Sequence, residues 1–371
     1  IQEIIKITRI LFTCKDEIKY FLTVLGDNIL KKKRELIHYC HINSKPFFEL
    51  ISQYYQDYFK NTHILNSIRF KYHGSSYKDS RIIHINKDIH NYYGLPVFMK
   101  GNFFNLISVA CYYSNRYEHS EHFLNNESSK KIKNKICYIK DKTPENIIIK
   151  FISESIVISQ TEQDSATKKD IFFLWNKYLN DNNLPNIIGK NNFIKILEEK
   201  LSNNFRKITN PILFNIKYIR QFWQSTIQMG DLINDELEIS EFIKLFNNWC
   251  LNNNIILEDI DDDNHIIEIL QYYINDIKIK DGKYILNVKC TLWSKEDDIK
   301  HFILNIKQNI SNNITFNSIY KLYCKFSNNK IPKNKTIIVS KKYFEKYLNN
   351  NIPNKYIQNN NIISPDFWSS F

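Results

Sequence analysis

The sequence predicts an α+β, mostly helical chain. A basic, mixed α/β N-terminal domain is followed by tandem modules, each of three helices plus a β-hairpin. Three observations predict this. Of the net charge of +12, residues 1–150 carry +10 (24 Lys+Arg, 14 Asp+Glu) and residues 151–371 only +2 (27 and 25). The basic part mixes helical aromatic stripes with short strand-like runs. The remainder aligns with itself.

The elements read in order as follows. Ile1 to Phe12 alternates charge with Ile at helical spacing, an amphipathic helix and not a signal peptide. A basic run, Lys31, Lys32, Lys33 and Arg34, follows the next predicted helix. Ser44 and Pro46 stand in the order of cap then proline and open a helix; Phe47, Phe48, Ile51, Tyr54, Tyr55 and Phe59 form its stripe. Ile68–Tyr72 and Arg81–Ile85 read as strands on either side of a turn at Gly74. Asn102 to Arg116 reads as a buried helix. The stretch 119–144 is rich in Lys, Ser and Asn and reads as a polar linker, with one strand-like run at Ile136–Ile139. The first domain is therefore 1–118.

Beyond it, residues 170–183 (DIFFLWNKYLNDNN) lie on 241–254 (EFIKLFNNWCLNNN) at an offset of 71, which also sets Phe151 on Phe222. A two-residue insertion shifts the offset to 73, where Phe193 and Leu197 meet Ile266 and Leu270. A weaker third copy sets Tyr323 on Trp175, Phe326 on Tyr178, and Phe344 and Leu348 on Phe193 and Leu197. Each copy predicts a first helix (145–158, 216–228, 296–309), a second (168–182, 238–254, 316–327) and a third (190–201, 264–275, 340–349). A hairpin follows, plain in the middle copy, where Asp281-Gly282 turns Ile277–Ile279 into Tyr284–Val288. In the first copy Asn210-Pro211 would sit between its two strands. This order is the winged-helix plan. It gives modules at 145–215, 216–290 and 296–371.

Composition excludes several classes. At 43% hydrophobic and 14% aromatic, the chain is not disordered. Seven Gly and no G-x-x-x-x-G-K-[ST] or G-x-G-x-x-G leave no nucleotide loop. The seven Cys form no C-x-x-C, so reduced thiols of an intracellular, non-secreted protein are expected, with neither cofactor nor metal. His38, Cys40 and His41 are too close together to converge on one ion. Asp259, Asp261 and Asp263 have calcium-loop spacing, but Asn264 and Leu270 stand where Gly and Glu are needed. Gly26-Asp27-Asn28 looks like a polymerase turn without the palm around it. No catalytic residue emerges, and no apolar run is long enough to span a membrane. The abundance of Ile (62) and Asn (48) points to AT-rich codons, and a start at Ile1 suggests a fragment or processed product.

A winged helix lays its third helix in the major groove, with Lys and Arg on phosphates. That singles out Lys341, Lys342 and Lys346 in the third copy, and Lys190, Lys195, Arg206 and Lys207 in the first. The middle copy, preceded by Glu258 to Asp263, would repel phosphates and reads as a spacer or docking module. In the first domain Lys31, Lys32, Lys33, Arg34, Arg69 and Lys71 are further candidates. Arg69-Phe70-Lys71-Tyr72-His73 suits stacking on single strands; the competing reading is a strand with Phe70 and Tyr72 in the core and Arg69 and Lys71 in solvent.

The stretch Thr143–Leu201, with FISES, DIFFLWNKY and GKNNFIKIL, resembles the winged-helix tail of viral and phage-type primase-helicases, shared by poxviruses, giant viruses and phage-like plasmids. In that family the tail follows a superfamily 3 ATPase core, whose Walker motifs are not in this sequence. The resemblance implies a non-catalytic, nucleic-acid-binding part of a viral DNA-replication protein. Its partners would be DNA ahead of RNA, and other replication proteins; its location would be host cytoplasm or a viral factory. Two alternatives stay open: a protein-docking scaffold of winged helices, and an enzyme domain in 1–118.

Overall fold

The computed structural model describes residues 11–32, 36–60, 63–72, 74, 76–86, 94–158, 166–201, 208–230, 235–257, 263–330, 337–359 and 361–370. It is mostly helical with small two- and three-stranded sheets, and it forms two compact units, 1–210 and 211–371. The helix expected at 1–12 falls almost entirely outside the described residues.

Unit 1 is built around α1 (Lys15–Ile29) and α3 (Leu95–Arg116). They approach so closely at Gly26 that a Cβ there would stand 2.1 Å from the Ala110 carbonyl oxygen. Beside them lies a parallel sheet of order β2-β1-β3, from β1 (Ile37–Cys40), β2 (Ile68–Arg69) and β3 (Ser80–Ile83). The crossover from β1 to β2 carries α2 (Lys45–Phe59), whose Phe47, Phe48, Ile51 and Tyr55 are buried as the stripe predicts, while Phe59 reaches the surface. The turn at Gly74 does not fold β2 and β3 into a hairpin: both pair with β1, and Lys71 instead bridges to Asn186.

The stretch expected to be a polar linker packs into this domain. It holds helical turns at Ser120–His122 and Phe123–Glu127 and then α4 (Lys130–Ile136). Phe123, Leu124, Ile132 and Ile136 join the core, the last two at a helical spacing of four. The run Ile136–Ile139 ends a helix and is not a strand. Buried charges fix the segment: Arg81 grips Glu121 through Nε and Nη2 at 2.8 and 2.7 Å, and Lys135 reaches Glu17 at 2.5 Å. Asp27 accepts from the Ser114 hydroxyl at 2.6 Å and the Ser120 N–H at 2.8 Å, so the aspartate of the polymerase-like turn is a structural cap.

Unit 1 continues with α5 (Pro144–Ser155), β4 (Val157–Ile158), α6 (Lys168–Asp181), α7 (Lys190–Leu201) and β5 (Ile208–Thr209), which pairs antiparallel with β4. Thr143 and Thr167 close capping boxes with Asn146 and Asp170, which explains both helix starts. Asn210-Pro211 makes no hairpin. Pro211 opens α8 (Pro211–Thr226) instead, as the first helical position favours.

Unit 2 repeats the order twice. After α8 come β6 (Ile227–Met229), β7 (Glu236–Glu238), α9 (Ile239–Asn252), α10 (Asp263–Tyr273), β8 (Ile279–Lys280), β9 (Tyr284–Leu286) and β10 (Val288–Cys290). The turn between β8 and β9 has Asp281 at φ +55° and Gly282 at φ +60°, the hairpin geometry the Asp-Gly pair predicts. Beyond β9, Asn287 at φ +62° redirects the chain, so Val288 lies in β10, which pairs with β6. Then follow α11 (Lys295–Ile306), β11 (Ile314–Thr315), α12 (Phe316–Lys330), α13 (Lys341–Asn351), β12 (Ile357–Gln358), β13 (Ile362–Ile363) and α14 (Pro365–Ser370). The sheets have the orders β7-β9-β8 and β11-β13-β12.

The residues aligned by sequence meet at matching places. Phe151 packs on Trp175 at 5.3 Å and Tyr178 at 5.4 Å; Phe222 packs on Phe246 at 5.6 Å and Trp249 at 5.7 Å. Phe302 packs on Tyr323 and Phe326, both at 5.4 Å. In each triad the first helix sets one ring against two rings spaced by three on the second helix.

Candidate nucleic-acid interface

The sequence-derived lysines and arginines fare differently. Lys32 donates to the carbonyls of Ser114 at 2.9 Å and Glu118 at 2.8 Å, neutralising the C-terminal end of α3. Lys31 is exposed. Arg69 folds back on the carbonyls of Asn66 and Ile68 at 2.6 and 2.8 Å. In unit 2, Lys341 lies 3.6 Å from Glu345, Lys342 sits 4.3 Å above the Tyr284 ring, and Lys346 is half-buried. Lys33, Arg34, Arg206, Lys207, His73 and Glu258 to Asp262 lie outside the described residues.

Lys71, Lys190 and Lys195 are exposed in unit 1, and the first two come to the same place. Residues after β2 run against the loop that leads into α7. Lys71 bridges to Asn186, Tyr77 donates its hydroxyl to the Ile187 carbonyl at 3.0 Å, and the Tyr72 ring lies over Gly189. Burial, followed by Tyr39 and Glu145, pushes the Tyr77 phenol well up, so it stays protonated and keeps donating. These contacts join the basic domain to the start of the third helix of the first module.

The junction walls an open cleft of about 810 Å³. Its lining includes Tyr72, Lys78, Lys140, Lys142, Gly189 and Lys190, together with the first residues of α5 and α7. Among the described residues four lysines face it, no carboxylate lines it, and none of the four is ion-paired. Lys142 rests on the Tyr138 ring at 3.1 Å and Lys190 lies 5.1 Å from that of Phe172, which positions the ammonium groups and leaves their charge intact. The first N–H groups of a helix have no intrahelical partner and carry partial positive charge, so both helix starts add to the field. Carboxylates adjoin the lining along the chain at Asp79, Asp141 and Glu145; Glu145 is held below the usual carboxylate range by the Thr143 hydroxyl and its own N–H at the start of α5. The cleft as a whole suits a phosphate-bearing ligand.

Lys78, Lys140 and Lys142 were not candidates by sequence. Two of them fall in the supposed linker, and the third in a turn, so no local pattern unites them. The 38–41 cluster separates as alternation requires: His38 and Cys40 point into the core, and His41 Nε2 lies 3.0 Å from Asn180 Oδ1. Among the described residues no group of three His, Cys, Asp or Glu gathers to hold a metal, all seven Cys are free thiols, and no helix is long and apolar enough to cross a membrane. No protein-family model matches the chain, and no curated protein or solved structure does either.

Proposed function

We propose that the chain is a nucleic-acid-binding part of a DNA-replication protein, built on tandem winged-helix modules. The observation that supports this reading is the recurring order helix, strand, helix, helix, strand, with a strand pair after the third helix in both copies of unit 2. In unit 2 both three-stranded sheets place the last strand between the first two, the order of a winged helix and its wing. The lysine-lined cleft at the start of α7 adds charge of the right sign. The replication setting rests on the resemblance of Thr143–Leu201 to primase-helicase tails.

Fluorescence anisotropy of a labelled duplex and a labelled single strand, titrated with the 371-residue chain across a range of KCl, tests the reading. The logarithm of affinity should fall linearly with the logarithm of salt, at about 0.7–0.9 per phosphate neutralised. Absent or salt-independent binding overturns it.

A second reading, protein docking, is favoured for unit 2 by one contact. The backbone N–H of Ser340, the cap of α13, donates to Glu241 at 3.2 Å. A carboxylate of the second module thus occupies the helix start that would face a phosphate.

A further inference from the structure

Within the nucleic-acid reading, on which this inference rests, the geometry points to the cleft of unit 1 as a single-strand subsite, in which Tyr72 stacks on a base while Lys78, Lys140, Lys142 and Lys190 hold the flanking phosphates. Tyr72 is 54% exposed although it belongs to a compact unit, so its ring does not serve as core. It is nonetheless backed: a Cβ on Gly189 would stand 3.2 Å from its Cε2 and Cζ. Gly189 has no positive φ, so glycine is needed there for room and not for backbone shape. The ring is therefore held against the polypeptide through its Cδ2, Cε2 and Cζ atoms, and it stands in the lining of the cleft with more than half of its surface exposed.

An exposed ring held in place loses little freedom on stacking, and its face accepts any unpaired base. The bases of a duplex are already stacked on each other and offer no such face. Among the described lining residues the only charged side chains are the four lysines, which carry the complementary charge. A duplex would use the lysines alone; a single strand uses the lysines and the ring. Strand type is therefore the property that Tyr72 controls.

The test uses the 371-residue chain with labelled oligo-dT of about 15 nucleotides, a length on the scale of single-strand sites, and a duplex of equal length. Tyr72→Ala should weaken single-strand binding about tenfold, as loss of one stacked base does, and leave duplex binding within about twofold. Tyr72→Phe should restore single-strand affinity, since stacking needs the ring and not the hydroxyl. The double change Lys140→Gln, Lys142→Gln should lower the single-strand salt slope by about 1.4, at about 0.7 per phosphate lost. Circular dichroism and thermal melting of each variant should match the parent, because these side chains lie outside the core. Unchanged single-strand affinity in Tyr72→Ala, or equal weakening on both strand types, overturns the subsite and leaves the nucleic-acid reading standing. A parent chain that binds neither probe overturns both.

Discussion

Lys295 Nζ lies 2.5 Å from Glu241 Oε2, with the two side chains 10% and 3% exposed. The pair joins the first residue of α11 to the first turn of α9, and so one three-helix module to the next. Glu241 also accepts from the N–H of Glu238 at 2.9 Å and of Ser340 at 3.2 Å. One carboxylate thus caps its own helix, pairs with a second module and reaches the start of that module's third helix.

Glu241→Gln should destabilise unit 2 by about 3 kcal/mol, since it strands a buried ammonium while keeping the volume. Urea unfolding followed by circular dichroism measures it. Adding Lys295→Met should recover much of the loss, because the unpaired charge goes with it. A Glu241→Gln variant as stable as the parent would show that the pair is solvated.

Gly26→Ala should destabilise unit 1 by about 2 kcal/mol or more, although alanine is the better helix former by about 1 kcal/mol. The reason is the 2.1 Å approach to the Ala110 carbonyl oxygen, which is backbone and cannot rotate away. The thermal midpoint is the readout. A stabilised variant would mean that α1 and α3 can separate without loss.

Stability should fall as pH drops below about 6.5. Burial, and then the Arg81 charge, lowers the His38 imidazole to about 3. Burial, and then the Lys135 charge, lowers His84 to about 4. Between those values and 6.5 the unfolded chain binds protons that the folded chain does not, so acid favours unfolding. Each histidine contributes up to about 1.4 kcal/mol per pH unit in that window, and the contribution is complete above it. His38 hydrogen-bonds Tyr20 at 3.0 Å, so His38→Gln should lower stability at pH 7 and flatten the pH dependence by about one proton. Urea midpoints from pH 5 to 7.5 give the slope; equal steepness in both proteins would refute the assignment.

The lysine clusters should separate in binding. Lys142→Glu with Lys190→Glu should weaken single-strand affinity on the order of tenfold or more near 0.1 M salt, as loss of two phosphate contacts implies. Lys341→Glu with Lys342→Glu should change it by less than about threefold, because Lys341 is already paired with Glu345 and the Glu241 carboxylate occupies the start of their helix, so no phosphate contact is lost. The reverse order would move the interface to unit 2.

Much of the fold was legible because helix signals are local. The third helix of the first repeat, which the spacing predicts over 190–201, runs Lys190–Leu201. The rings aligned by sequence, Phe151 with Trp175 and Phe222 with Phe246, meet because one face of a helix repeats at a fixed spacing. Residues 119–144 look like a linker by composition because Lys, Ser and Asn on an outer face hide the apolar pairs Phe123–Leu124 and Ile132–Ile136. Asn210-Pro211 between two strand-like runs suggests a hairpin turn, but proline equally opens helices, and Pro211 does so here.

Local spacing along the chain places most of the helices, though not those between 120 and 136, marks their inner faces, and shows charge concentrated in the first 150 residues. What each charge does follows from the fold. Lys32 caps a helix, Arg69 folds onto its own turn, and Lys78, Lys140, Lys142 and Lys190 gather from distant segments around Tyr72. Periodicity is a property of neighbours along the chain and survives in the sequence. A side chain's electrostatic role depends on partners brought near through space, and only folding places them.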